Sequence, residues 1–249
     1  MKLSKNPFHR SEGMKKRILS FVLLSILFFP VLTACAVGVT RTETRAIRDV
    51  TAVSINTVGE FIIRQGDEES LTIEGPNNIL RTIDTEIVGG TLYIDSTRGV
   101  LGSSFEKIVY TLTVKNLNEI SFSGAGSISV ASLDTDHLDI TLTGAGSIDI
   151  ASLNTQELSV LLNSAGSIDI AGNTENQNVV ISGVGSYAGS DLQSSNATVV
   201  MSGAGSAEVW VTDSLDINVS GVGSVSYYGF PTVQQNISGL GSVDSKGDH

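Results

Sequence analysis

The chain has 249 residues, of which 41% are hydrophobic and 16% charged; that is long enough for one large buried core and too apolar for a disordered chain. Aromatic residues (6%) and Pro (4) are scarce while Gly (26) is abundant, a composition suited to many short strands and tight turns. Formal net charge is −11, and beyond residue 34 the chain holds nine basic and 25 acidic residues, which argues against nucleic acid as a partner and leaves membrane attachment to covalent or hydrophobic means.

Near the N-terminus, Lys15-Lys16-Arg17 precede an apolar run from Ile18 to Leu32, broken by Ser20, Ser25 and Pro30. The run is shorter than the roughly 20 apolar residues of a membrane span. Its length and flanks predict a signal peptide over residues 1–34. Residues 1–13 are long for its basic region, so Met1 and Met14 both stand open as the start. The single cysteine, Cys35, closes Leu32-Thr33-Ala34-Cys35, which resembles a bacterial lipobox. In such signals small residues let the peptidase seat the strand before the cut, and the thiol carries diacylglycerol through a thioether. Cys35 is therefore the expected lipidation site, the mature N-terminus and the link to a membrane. One cysteine allows no intrachain disulfide. Ala36, rather than Asp, follows it; in enteric-type sorting this resembles an outer-membrane destination, with the periplasmic or surface side left open. Residues 35–47 read as a short tether.

From Val50 to Leu117 the sequence shows short alternating runs, such as Phe61-Ile62-Ile63, Leu71-Thr72-Ile73, Leu92-Tyr93-Ile94 and Val109 to Val114. They read as irregular opening coils without a glycine corner. A repeat then begins. Gly124 and Gly126, Gly144 and Gly146, Gly166 (with Ser164 in the first place), Gly183 and Gly185, Gly203 and Gly205, Gly221 and Gly223, and Gly239 and Gly241 recur every 18–20 residues. Each unit is Ser/Thr/Asn-Gly-x-Gly-Ser in form. Aliphatic residues alternate with polar ones on both sides, as in Ile140 and Leu142 before one unit and Ile148 and Ile150 after it. Period-2 alternation about a glycine turn means strand, turn, strand. The glycines are expected to take positive φ at sharp corners, the second more constrained than the first, with neighbouring hydroxyls bonding the turn backbone.

A hairpin meander would need another turn of equal quality every ten residues, and the intervening segments, such as Ala131 to His137, are looser. The spacing instead predicts an all-β fold: a single-stranded β-solenoid (β-helix-like) with about 18–20 residues per coil over residues 48–245, glycine turns running from 123 to 242. Tyr227, Tyr228, Phe230, Pro231 and Gln235 are candidates for a C-terminal cap.

The segments Gly59-Glu60-Phe61-Ile62-Ile63-Arg64-Gln65-Gly66, Leu71-Thr72-Ile73-Glu74-Gly75 with Asn77-Asn78, Gly89-Gly90-Thr91-Leu92-Tyr93-Ile94, and the Ser-Gly-Ala-Gly-Ser repeats resemble the head-GIN domain family of auto-transporter adhesins. The resemblance spans roughly residues 48–245. It implies a β-helix-like solenoid on an exported or lipid-anchored bacterial protein, although no translocator barrel follows here.

Chemistry is hard to find. Beyond Cys35 the mature chain has only His137 and His249 as candidate bases, and His137 reads as an exposed loop residue. No glycine unit supplies the third Gly of a dinucleotide loop. Asp149, Asp169, Glu208 and Asp244 hold the same place after their turns and would share one outer column, interrupted by Ser129, Ala188 and Ser226. This column reads first as a solvated face, then as a weak cation or ligand surface, and last as a carboxylate pair for glycoside hydrolysis. No catalytic, metal or cofactor site is expected. The chain reads as a lipid-anchored, non-catalytic binding or adhesion module for an unknown protein or glycan. A periplasmic structural or envelope-stress accessory is the alternative, and a polysaccharide-active enzyme the remote one.

Overall fold

The structure, a computed structural model, describes residues 40–97 and 107–249; the expected signal peptide, Cys35 and the start of the tether lie outside the described residues. The opening strands are β1 (Thr40–Arg45), β2 (Ala52–Asn56), β3 (Val58–Gln65) and β4 (Ser70–Pro76), then a single helical turn α1 (Asn77–Leu80), β5 (Ile83–Val88), β6 (Thr91–Ser96) and β7 (Val109–Val114). The repeat region holds β8 (Glu119–Phe122), β9 (Ala125–Val130), β10 (Leu133–Asp134), β11 (His137–Leu142) and the long strands β12 (Ala145–Leu162), β13 (Ser167–Ile181), β14 (Ser186–Met201) and β15 (Ala204–Val219). The chain closes with β16 (Val222–Tyr228), β17 (Thr232–Ile237) and β18 (Ser242–Gly247). Among the described residues no helix is long and apolar enough to cross a membrane.

The alternation does what its period requires. Each coil pairs in parallel with the next, like residue over like residue, so side chains stack in columns. One inward column runs Ile120, Ile140, Val160, Val179, Val199, Ile217; another runs Phe122, Leu142, Leu162, Ile181, Met201, Val219. Every member of both is buried. Past the glycine corner a third column runs Ile128, Ile148, Ile168, Tyr187, Ala207, Val225. The protein is thus a β-solenoid in which no single coil has a core of its own.

Each coil has a second corner, where the sequence looked loose. There the hydroxyls of Thr135, Thr155 and Thr174 donate to the carbonyls two residues on, those of His137, Glu157 and Asn176, at 3.0–3.2 Å. The hydroxyl-to-backbone bonding expected beside the glycines is concentrated here instead. Variation in coil length falls between the faces, where the register shifts at Ile150/Leu153, Asp169/Gly172 and Gly189/Gln193.

The opening region corrects the expectation of irregular coils without a glycine corner. β2 pairs with both β6 and β8, and β3 with both β7 and β9: Val53 lies between Leu92 and Ile120, and Phe61 between Tyr110 and Ile128. The first coil in the chain is therefore the second in the stack. Val58 and Gly59 sit directly beside Ala125 and Gly126, so this coil takes part in the same corner. The Phe61 ring stacks on that of Tyr110 at 4.3 Å and meets Phe122 edge-on at 5.8 Å. The lowest coil is then closed by antiparallel strands: β4 on β7, β1 on β4, and β5 on β6. Residues 40–45, read as tether, are thus strand β1, and its Arg41, Glu43 and Arg45 put charge on an edge that would otherwise invite pairing. Arg45 ties the two flaps together, bonding Glu43 and Thr85 at 3.0 Å each.

At the other end the expected aromatic cap is absent. Phe230 is 78% exposed and Leu240 83%; only Tyr227, of the proposed capping residues, packs against the core. Gln235 does end the inward column above Ile217, exposed and polar where that column meets solvent.

The interior has one polar strut. Tyr187 replaces an aliphatic residue and its hydroxyl donates to Gln177 Oε1 at 3.0 Å; Gln177 Nε2 donates to Ser194 Oγ at 2.7 Å, and Ser194 donates to the Trp210 carbonyl at 2.9 Å. Small residues make room for it. Ala207 stacks on Tyr187 and Ala197 on Gln177, and a Cβ on Gly189 would meet the Tyr187 ring at 2.7 Å.

Candidate functional site

Among the sequence-predicted residues, the corner glycines are all brought together, in two adjacent columns, but for a different reason from the one expected. Of the repeat glycines only Gly126 has a φ in the left-handed range, 136°. The rest are required by the neighbouring coil. A Cβ on Gly144 would fall on the Gly124 carbonyl oxygen, the same oxygen that accepts a 2.9 Å bond from the Ala145 amide. Backbone stacks on backbone at this corner, leaving no volume for a side chain. The squeeze is tighter at the first glycine of each unit than at the second, the reverse of the expected order.

Ser164 tests this account, because its unit carries a Cβ in the first place. At Gly144, Gly183, Gly203, Gly221 and Gly239 the glycine's amide and the one after it donate to the preceding coil, as Gly183 does to Leu162 and Val184 to Ser164. The amides of Ser164 and Ala165 make no such bonds, and the buried Ser164 hydroxyl has no partner. Ser164→Gly is expected to close this corner and raise stability by about 1 kcal/mol, the gain of bonded amides and the lost orphan hydroxyl outweighing glycine's backbone entropy. Denaturant unfolding at constant m-value measures it.

The other candidates are dispersed. His137 is exposed at the start of β11. The acidic column stacks as its spacing implied: Asp149 pairs with Asp169, Ala188 with Glu208 and Ser226 with Asp244. The Asp169 carboxyl is held above the usual range, first by partial burial and then by Asp149 and Asp191. Among the described residues no group of three or more His, Cys, Asp or Glu could hold a metal ion.

A second outer column escaped the sequence reading. It runs Asp134, Asn154, Asn173, Gln193, Trp210, Tyr228. Its early members are acid and amide, and Asn154 donates to Asp134 at 3.0 Å. The column then turns aromatic. At this point the repeat also breaks: Gly189 and Gln193 pair with the adjacent residues Val209 and Trp210, so β15 skips the places that Ser190, Asp191 and the buried Leu192 hold in β14. The indole of Trp210 carries the imidazole of His249, with ring centroids 4.1 Å apart and planes within 10°. Tyr228 meets the same imidazole edge-on at 5.3 Å. Asp191, in the segment of β14 that β15 skips, lies 3.4 Å from His249 Nε2. The signal available in the sequence was the position of the only tryptophan, in a register otherwise filled by amides. Around it, residues 116–245 hold thirteen acidic residues and no Lys or Arg.

Comparison with known proteins gives the following. The model of the family described as "Putative auto-transporter adhesin, head GIN domain" matches residues 49–231. A crystal structure of a putative adhesin from Bacteroides fragilis NCTC 9343 is 30% identical and superposes with a TM-score of 0.79, covering 83% of this chain and 96% of that one. Putative adhesins from Parabacteroides merdae ATCC 43184 (23% identity, TM-score 0.62, 83% and 95% covered) and Parabacteroides distasonis ATCC 8503 (20%, 0.64, 84% and 97%) share the fold. No curated protein matches the chain.

Proposed function

The chain belongs to the head GIN domain family, and from that premise we propose that it is a non-catalytic binding or adhesion module held at the cell envelope by lipid on Cys35. The observation that carries this reading is the pairing of a rigid stack, whose outer columns are free for contact, with a lone cysteine at the end of a lipobox-like sequence. Rigid faces favour binding because little side-chain and loop entropy remains to be lost on contact. A polysaccharide-active enzyme would need basic residues for acidic sugars beside its acids, and none lies between residues 116 and 245. Ala36 after Cys35 favours an outer-membrane destination, and the following test decides which side of it the solenoid faces.

Protease shaving of whole cells, followed by immunoblotting before and after outer-membrane permeabilisation, tests the reading. Digestion on intact cells is expected, with Cys35→Ala moving the protein out of the membrane fraction. Protection until permeabilisation would instead favour a periplasmic accessory role, and a membrane-bound Cys35→Ala protein would remove the lipid anchor from the account.

A further inference from the structure

Two features of the outer face depart from the repeat. The polar column needs no aromatic residue, since Asn154, Asn173 and Gln193 hold its register in the earlier coils. The segment 190–192, whose Leu192 continues the inward column of Leu133 and Leu153, has no counterpart in β15, which passes directly from Val209 to Trp210. Both departures meet at one place. The step leaves the Asp191 carboxylate, 69% exposed, beside a floor of Trp210 and a wall of Tyr228.

The occupant of this place is informative. The His249 imidazole lies flat on the indole, its Nε2 directed to Asp191. It stands in for a planar group that brings a nitrogen up to a carboxylate and a face to an aromatic ring. The surrounding coils, with thirteen acids and no Lys or Arg over residues 116–245, favour a positive charge on that group. A guanidinium satisfies all three conditions, because it is planar, permanently charged and forked to suit a carboxylate. A Lys ammonium is a point charge that cannot stack, and a neutral sugar ring would use the indole but neither Asp191 nor the acidic field.

The geometry points to a recognition site, formed by Trp210, Tyr228 and Asp191, for an arginine side chain of a partner protein, filled within the chain by His249 when the partner is absent. This deepens the binding-module reading and rests on it.

Trp210 is the only tryptophan, so its fluorescence reports the site directly. The full chain is titrated with N-acetyl-arginine amide, and with N-acetyl-citrulline amide as the planar, uncharged control. His249→Ala is expected to show a saturable change in Trp210 emission with the arginine probe, at a concentration several-fold lower than the wild type, which must first release its own imidazole. Asp191→Asn in that background, with circular dichroism confirming the fold, is expected to weaken the response about tenfold. Added salt is expected to weaken it further. No response in His249→Ala, an equal response to citrulline or N-acetylglucosamine, or indifference to Asp191→Asn would each overturn the assignment. The outcomes stay separable from those of protease shaving: surface exposure without arginine binding removes only this site, whereas arginine binding by a shielded protein keeps the site and moves the module to the periplasm.

Discussion

Gly144→Ala lowers the stability of the solenoid by on the order of 3 kcal/mol or more, as read from urea unfolding, although it adds a single methyl group. The added Cβ would lie far inside contact distance of the Gly124 carbonyl oxygen, and the Ser123 carbonyl carbon stands only 2.6 Å away. Neither neighbour is a side chain that can turn aside. The coils must part at this corner, and parting breaks the Gly144 amide bond to Phe122 and the Ala145 amide bond to Gly124. Overpacking by itself costs roughly 1–3 kcal/mol, and each buried amide left without a partner adds about 1–3 more. Local opening of the kind already seen at Ser164 limits the total. A loss below about 0.5 kcal/mol would mean that the corner is loose and that its glycines serve some other purpose.

Tyr187→Ala is expected to cost roughly 3–5 kcal/mol, in the range of large aromatic deletions. The residue is 1% exposed and the Ala207 stacked on it is too small to fill the space left behind. The deletion also strands Gln177, itself 2% exposed. Tyr187→Phe separates the two effects, keeping the volume and losing the hydrogen bond for about 1–3 kcal/mol. Burial pushes the Tyr187 phenol up, and that of Tyr110 up to about 12. A raised folded-state value favours the neutral phenol, so this contribution is complete below the unfolded value near 10 and is lost as pH rises through the folded one. Stability should therefore fall between about pH 10 and 12, and less steeply in Tyr187→Phe.

The coils were legible because two signals coincided: aliphatic residues at period two, as in Ile140 and Leu142, and corner glycines every 18–20 residues. What the glycines do was not legible, since a turn requiring positive φ and a backbone pressed against its neighbour both exclude a Cβ and leave the same letter in the sequence. The order of the opening coils was hidden for a related reason. Val53 and Phe61 alternate correctly whichever strands lie beside them, and nothing local says that Leu92 and Tyr110 belong on one side and Ile120 and Ile128 on the other. The Trp210 site was out of reach because it is visible only after residues are aligned across coils. The residues that β15 lacks between Val209 and Trp210 shift that alignment, and nearly 40 residues separate Trp210 from His249.

The sandwiching of the β2–β3 coil between its successors governs how the molecule answers to force. A solenoid wound strictly in chain order can be peeled from its N-terminal side, one coil at a time. Here a pull arriving from that side first strips β1 from the antiparallel edge and then reaches a strand hydrogen-bonded on both flanks, to β6 and to β8. Those two ladders must part together, with Val53 and Ile55 held in the core behind them. The coil nearest the N-terminal side is thus a mechanical lock, and traction entering through β1 falls first on the joint that requires two interfaces to fail at once.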